Sequence, residues 1–392
     1  MPQHAKNMTK GNFPIEKLKG QQTPFYYYDA ALLKKTVETL KASANKYGFL
    51  PHYAVKANAN EKVLKLIASY GIGADCVSGG EVLAAVKAGF APERIVFAGV
   101  GKTDWEIEAA LDSNIFCFNA ESLPELDVIN ELAGKKGKIA NIELRVNPNV
   151  DAHTHAKITT GLNENKFGIN LENLPATIKY VEGLKNLKFI GLHFHIGSQI
   201  TDNNTFIPLC EAINKLQGEL QAAGVKVENI NVGGGLGINY EDPDGNPVPD
   251  FEGYMSTISK HLQLLPGQHL HCEPGRSVVA QCGTLITKVT YVKKGTVKQF
   301  AIVDAGMTDL IRPALYDAYH KIENITSDAP AEKYDVVGPI CESSDVFLKD
   351  NEMNGTKRGD LLAIRSAGAY GEIMASRYNL RQLPGAYLST EL

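Results

Sequence analysis

The chain has 392 residues, 44% of them hydrophobic and 21% charged, with 36 Gly and 18 Pro. Length and composition fit a globular protein with room for more than one domain, and they exclude disordered, collagen-like and low-complexity readings. Lys and Arg number 40 against 44 Asp and Glu, a formal net charge of −4 that gives no electrostatic footprint for nucleic acid.

No apolar run reaches the roughly 18 residues of a membrane span, so no membrane partner is expected. The opening MPQHAKNMTKGNFPIEKL lacks an apolar h-region, so no signal peptide is expected. The six cysteines (Cys76, Cys117, Cys210, Cys272, Cys282 and Cys341) are scattered without a C-x-x-C pair. That usage predicts reduced thiols and a cytoplasmic location.

In chain order, TPFYYYD (23–29) reads as a strand. Eight β-rich runs follow: HYAVKAN (52–58), IGADCVS (72–78), RIVFAG (94–99), NIFCFNA (114–120), IELRVN (142–147), IGLHFHIG (190–197), INVGGG (230–235) and LHCEPG (270–275). The first five recur about every 20–27 residues, the length of one βα unit. The segments between them read as helices. Val63, Ile67 and Tyr70 share one face at helical spacing. Ser78 and Glu81 have capping-box spacing ahead of Val82, Leu83 and Val86, and Ser122 with Glu125 repeats that signal. Eight strands alternating with helices predict an α/β fold, a (β/α)8 TIM-type barrel over residues 29–275. The fifth connection, 148–189, is long and polar. An insertion there falls on the active-site face of a barrel and is a lid or interface candidate. After Gly275 the texture changes to strands without repeating helices. This predicts a C-terminal antiparallel β-sandwich or barrel domain joined by the N-terminal strand, so that residues 1–28 and 276–392 form one discontinuous unit.

Five motifs can carry chemistry. In HYAVKAN, strand alternation puts His52, Ala54 and Lys56 on one face. Lys56 is then either a Schiff-base lysine or one that snorkels to water at the strand end. In GGGLG (233–237), Gly233, Gly234 and Gly235 either let backbone N–H groups approach a phosphate after the seventh strand or simply make a tight turn. In EPGR (273–276), Arg276 suits an anion and Glu273 a cationic ring nitrogen; the plainer reading is a structural ion pair. In HFHIGS (193–198), His193 and His195 are a possible zinc pair or core histidines, with Ser198 as a further phosphate donor. A second H-x-H, His153 and His155, reads as solvated. In GPICESSD (338–345), Cys341 precedes Glu342; a free cysteine is more often a small buried hydrophobe than a reactive thiol.

Taken together with RPALYDAYH (312–320) and GAYGEIMASRYN (368–379), these motifs resemble the alanine-racemase-like pyridoxal-phosphate enzymes, in the decarboxylase branch that joins a barrel to a β domain. Within that branch, RPALY (312–316), CES (341–343) after GPI, and TTGLNENKFGI (159–169) are most similar to the diaminopimelate decarboxylases. The segment HTHAKITTG departs from that family's usual THPYISTG. The resemblance implies pyridoxal 5'-phosphate as cofactor, no metal, and decarboxylation of meso-2,6-diaminopimelate to L-lysine and CO2, the last step of lysine biosynthesis. It implies that Lys56 holds the cofactor, His195 stacks on its ring and Glu273 pairs with its ring nitrogen. Ser198, Gly235, Arg276 and Tyr370 surround the phosphate, with the backbone of Gly233, Gly234, Pro274 and Gly275. Arg276, Arg312, Tyr316 and Tyr370 bind substrate, Glu342 takes the distal ammonium, and Cys341 donates the proton from the second subunit of a homodimer with shared sites.

Three other readings compete. A polyamine-pathway decarboxylase shares the fold, but RPALY and Glu342 argue against ornithine and arginine. A non-enzymatic pyridoxal-phosphate carrier resembles the barrel alone, and the chain after Gly275 argues against it. A zinc hydrolase would use His193 and His195, although its H-x-H is expected on the first strand rather than the sixth.

Overall fold

The computed structural model describes residues 10–150 and 166–392. The chain divides into two compact units. One comprises Thr36–Ile238 and Pro249–Val278; the other comprises Val279–Leu392, Asn239–Val248 and the N-terminal segment ending at Lys35. In chain order the strands are β1 (Phe25–Tyr28), β2 (Phe49–Ala54), β3 (Gly73–Cys76), β4 (Ile95–Phe97), β5 (Cys117–Ala120), β6 (Ala140–Asn147), β7 (Ile169–Asn170), β8 (Leu187–His193), β9 (Asn229–Asn231), β10 (His269–Cys272), β11 (Gly283–Lys294), β12 (Gln299–Val303), β13 (Ile322–Asn324), β14 (Ala331–Val337), β15 (Val346–Asn354), β16 (Leu361–Ile364) and β17 (Gly385–Leu388).

In the first unit, β2, β3, β4, β5, β6, β8, β9 and β10 pair in parallel, and β10 returns to β2 with Leu270 opposite Phe49. This is a closed eight-stranded barrel, and its strands are the eight runs read from the sequence. They read as short continuous runs because β3, β4 and β5 are buried on both faces. The helices pack outside. Helix Glu61–Ala68 starts at Asn60, whose side chain accepts the Lys62 N–H, and it buries Val63, Leu64, Ile67 and Ala68. Val63, Leu64 and Ile67 each contribute about 1.5–3 kcal/mol by that burial. Tyr70, expected on that face, lies past the helix end. Helix Gly79–Ala88 starts at Ser78 as expected, but the Glu81 carboxylate accepts from Val77 N–H rather than from Ser78, and Leu83 and Val86 are exposed. Helix Leu123–Lys135 repeats the device, with Ser122 accepting from Glu125 N–H and Glu125 accepting from Glu121 N–H. In the fifth connection the described part holds β7, paired with β6, and helix Leu174–Glu182. His153, His155 and TTGLNEN lie outside the described residues.

The second unit is an eight-stranded sheet in the order β13-β16-β11-β12-β14-β15, with β1 on β11 and β17 on β1. The N-terminal strand does join this unit, with Phe25 opposite Ile286. The antiparallel expectation needs correcting at two pairings: β1 with β17 and β12 with β14 run parallel. The long β11 pairs with β16 as far as Lys288 and with β12 from Val289, with a register shift on β12 between Val289 and Tyr291. Leu18, Phe25, Tyr27, Ile286, Ile325, Leu361 and Ala363 form one core cluster. Segment 239–248 belongs here because Arg365 grips Asp244 at 2.6 Å and Glu323 at 2.6 Å. Nothing in its composition marks that membership in the sequence. Among the described residues no helix is long and apolar enough to cross a membrane.

Candidate active site

Most barrel strands bring one or more polar side chains into the barrel, and near the C-terminal ends these converge. Asp75, Asn119, Glu143, Arg145, His193 and Asn231 lie on β3, β5, β6, β6, β8 and β9, and Glu273 follows β10; all are buried. Glu273 is the centre. Its Oε2 pairs with His193 Nε2 at 2.9 Å, and its Oε1 accepts from Asn231 Nδ2 at 2.8 Å and Asn119 Nδ2 at 3.4 Å. Burial pushes the Glu273 carboxyl up, but His193, then Lys56 and His52, outweigh it and hold the group well below the usual carboxylate range. The cluster therefore keeps one committed negative charge.

Its neighbours respond to that charge. Glu143 is fully buried, and neither oxygen makes a hydrogen bond of ordinary geometry among the described residues. Burial and the Glu273 charge push it up to about 8, so it keeps its proton at neutral pH. Asp75 is pushed up to about 7 by burial and Glu273, against the pull of Lys56. Lys56 Nζ lies 3.3 Å from Asp75 Oδ2. On the far side, Glu121 accepts from Arg145 at 3.0 Å and from Gly168 N–H at 3.0 Å, and the Arg145 guanidinium lies 4.6 Å from the Phe167 ring centroid.

The sequence-derived residues of the barrel come together here, with corrections in detail. Lys56 is not on the strand: β2 ends at Ala54, and Lys56 sits on a tight turn, Val55–Ala57. The shared-face argument from His52 therefore fails, although the lysine still reaches the mouth. His193 ends β8 and His195 lies beyond it. The two rings serve different partners: His193 Nε2 pairs with Glu273, while His195 Nδ1 accepts from Gly234 N–H at 3.3 Å. His195 is thus protonated on Nε2, and desolvation, Lys56 and Arg145 keep it neutral. Among the described residues no group of three or more His, Cys, Asp or Glu can hold a metal ion.

The glycine run requires glycine. Gly233 has φ +70, and a Cβ there would meet the Phe194 carbonyl at 2.2 Å; one on Gly234 would meet the Glu273 carbonyl at 2.2 Å. Two of its amides are engaged within the protein: Gly233 N–H donates to Asn231 Oδ1 at 3.0 Å and Gly234 N–H to His195 Nδ1 at 3.3 Å. The Pro274 carbonyl accepts from Ala54 N–H at 3.1 Å, and Gly275 leads into Arg276. Arg276 donates to Ser198 Oγ at 3.1 Å, so two proposed anion ligands touch.

The other five sequence-derived residues belong to the second unit. Arg312 and Tyr316 bound the short helix Arg312–Tyr316, and Arg312 donates to Tyr240 at 2.9 Å and to His320 Nε2 at 3.0 Å. Because His320 also bonds the Arg365 carbonyl through Nδ1, it is the neutral Nδ1–H tautomer. Tyr370 has φ +56, a left-handed conformation uncommon for tyrosine. Cys341 is exposed, whereas the other five cysteines are buried; all six are unpaired thiols.

Comparison with known proteins agrees with this geometry. The family model for the pyridoxal-dependent decarboxylase pyridoxal binding domain matches residues 33–280. A diaminopimelate decarboxylase from Bacteroides thetaiotaomicron is 62% identical over 384 residues, 98% of this chain and 100% of that protein. The chain belongs to the diaminopimelate decarboxylase family. A second member, from Aquifex aeolicus, is 44% identical over 92% of this chain and 84% of its own length. The crystal structure of the Helicobacter pylori diaminopimelate decarboxylase complexed with L-lysine superposes with a TM-score of 0.91 at 43% identity, covering 96% of this chain and 94% of that one. A lysine/ornithine decarboxylase from Vibrio vulnificus, at 21% identity and a TM-score of 0.83, shares the fold.

Motif reading missed several residues that this diaminopimelate decarboxylase family member sets beside the sequence-derived ones, each within its own unit. Asp75, Asn119, Glu143 and Asn231 each stand between two apolar residues, and a polar residue flanked in that way in a buried strand is the signal that could have found them. Tyr240 and His320 had no such signal, because only folding brings residue 240 beside 312.

Proposed function

We propose that this chain decarboxylates meso-2,6-diaminopimelate to L-lysine and CO2, the last step of lysine biosynthesis, with pyridoxal 5'-phosphate bound in the barrel mouth. The observation that carries the reading is the conjunction in one mouth of an ionised, buried Glu273, a lysine amine, and an Arg276–Ser198 pair suited to a phosphate. These residues fit the cofactor: an amine for its aldehyde, a carboxylate for its ring nitrogen, and hydroxyl, guanidinium and Gly235 backbone donors for its phosphate. When bound, the cofactor supplies the electron sink that lets an α-carboxylate leave as CO2.

The chain's own groups do the rest. Lys56 would tether the cofactor and His195 would lie against it, while Glu273 would favour a proton on its ring nitrogen. Ser198, Gly235, Arg276 and Tyr370 take the phosphate, with Gly233, Gly234, Pro274 and Gly275 shaping the backbone around it. Arg312 and Tyr316, with Arg276, recognise the distal carboxylate, Tyr370 also binds substrate, and Arg312 is pre-aimed by Tyr240 and His320. Glu342 takes the distal ammonium, and Cys341 Sγ delivers one proton to the α-carbon. Ornithine and lysine lack the distal carboxylate, so they forgo the ion pair that this group makes with Arg312.

The test is a substrate panel with added pyridoxal phosphate: meso-diaminopimelate, ornithine, arginine and carboxynorspermidine, following CO2 and amine. Lysine from diaminopimelate alone is the expected result. Turnover of another substrate instead would overturn the roles of Arg312, Tyr316 and Glu342.

We further propose a cytoplasmic homodimer with shared sites, which the unpaired thiols and the exposure of Cys341 support. Lys56→Ala and Cys341→Ala subunits, each inactive or impaired alone, are expected to regain activity when mixed, because one pocket of the mixed dimer is intact. No recovery after demonstrated subunit exchange would place the whole site in one chain.

A further inference from the structure

The loop between β14 and β15 carries Cys341 and Glu342, and it is held from two sides. On the inside stands Asp345, which is buried. Its Oδ2 accepts from Ile340 N–H at 2.7 Å and its Oδ1 from Met307 N–H at 2.6 Å. A Cβ on Gly338 would sit 2.3 Å from that carboxylate, so the post needs glycine there. On the outside stands the segment 376–381. It is fastened at one end by Ser376 N–H to the Thr308 carbonyl at 2.9 Å and at the other by Arg381 to the Asp304 carbonyl at 3.0 Å. Between these ties, Asn379 Oδ1 accepts from Cys341 N–H at 3.1 Å, and the Tyr378 hydroxyl donates to Glu342 Oε1 at 2.5 Å. Asn379 has φ +54, a conformation asparagine tolerates, and the turn it makes presents both side chains to consecutive residues of the loop.

We propose that Tyr378 is a positioning residue for substrate selection: by holding Oε1 of Glu342 it aims the carboxylate and leaves Oε2 for the distal ammonium. This rests on the reading that Glu342 receives that ammonium. An exposed glutamate otherwise samples many rotamers, and binding would have to order it. A donor on one oxygen does that ordering in advance without neutralising the charge. The neighbouring carboxylate raises the phenol above its ordinary range, so the hydroxyl stays a donor through neutral pH.

The experiment uses purified cofactor-loaded enzyme and two substrates, meso-diaminopimelate and 2-aminopimelate, which lacks the distal ammonium. Tyr378→Phe is expected to lower kcat/KM for diaminopimelate about tenfold, through KM, the scale of one charge-assisted hydrogen bond. It is expected to leave 2-aminopimelate turnover and cofactor occupancy unchanged. A loss shared equally by both substrates, or no loss for either, would overturn the proposal. Glu342→Gln, run in parallel, separates the two layers. If it lowers the diaminopimelate preference while Tyr378→Phe does not, the role of Glu342 stands and that of Tyr378 falls. If Glu342→Gln leaves the preference unchanged, both fall.

Discussion

Lys56→Ala is expected to remove covalent attachment of pyridoxal phosphate and to lower decarboxylation by at least about a thousandfold. The site makes this substitution clean. Lys56 stands on a turn whose flanks are fixed by packing: Val55 and Ala57 are buried, and the Tyr53 hydroxyl closes on the Asn58 carbonyl at 2.9 Å. Removing the amine leaves Asp75 without its cation; that carboxyl is already raised, so it answers by holding its proton. The rival amine is Lys102, also in the barrel, but it donates to the Gly99 and Asn119 carbonyls at 2.8 and 2.9 Å and to Glu125 at 2.5 Å. Borohydride reduction followed by peptide mass mapping checks the assignment. The label belongs on Lys56 in the wild type and is absent from the variant; a label on Lys102 or elsewhere would refute it.

Glu273 gives the second large effect, and two substitutions divide it. Glu273→Gln keeps the shape but removes the charge, and is expected to lower kcat about a hundredfold or more, in the range of losing one preorganised electrostatic contact. It also lifts the repulsion that raises Asp75 and Glu143, so both carboxyls shift downward. Glu273→Ala strands His193, Asn231 and Asn119 in the barrel and is expected to cost about 3–5 kcal/mol of stability, the scale of breaking a buried pair. Because the folded state holds Glu273 below its ordinary range, its contribution is present above the unfolded carboxyl pKa, near about 4.3, and is lost as pH falls below that. Denaturant titrations of the two variants at neutral and acidic pH read this directly. A Gln variant with wild-type kcat would remove Glu273 from the ring-nitrogen role.

The barrel was legible because its strands are short, buried and punctuated by Gly, Asn and Ser, so period and punctuation agreed along the chain. The same reading misplaced Lys56 on a strand face, since alternation continues in the letters past Ala54 while the backbone turns. It placed Tyr70 on the face of Val63 and Ile67, but the helix ends at Ala68 before reaching it. The glycine run marked a close approach, but not that Asn231 and His195 take two of its amides. Arg312 was found by resemblance; Tyr240 and His320, which aim it, were hidden by sequence distance. The clamp on Cys341 and Glu342 was hidden for the same reason.

The placement of β1 has a consequence during synthesis. Phe25–Tyr28 is buried along its whole length, yet one partner strand begins at Gly283 and the other at Gly385. At about 5–20 residues per second the ribosome delivers the first of these on the order of tens of seconds after the FYYY run emerges. Through that interval an apolar strand with two open edges has no native partner, the kind of segment that seeds association between nascent chains. Barrel closure waits almost as long, because β2 needs β10. A chain halted at the end of the barrel therefore carries all eight barrel strands together with an orphaned β1 and a 239–248 segment still waiting for Arg365.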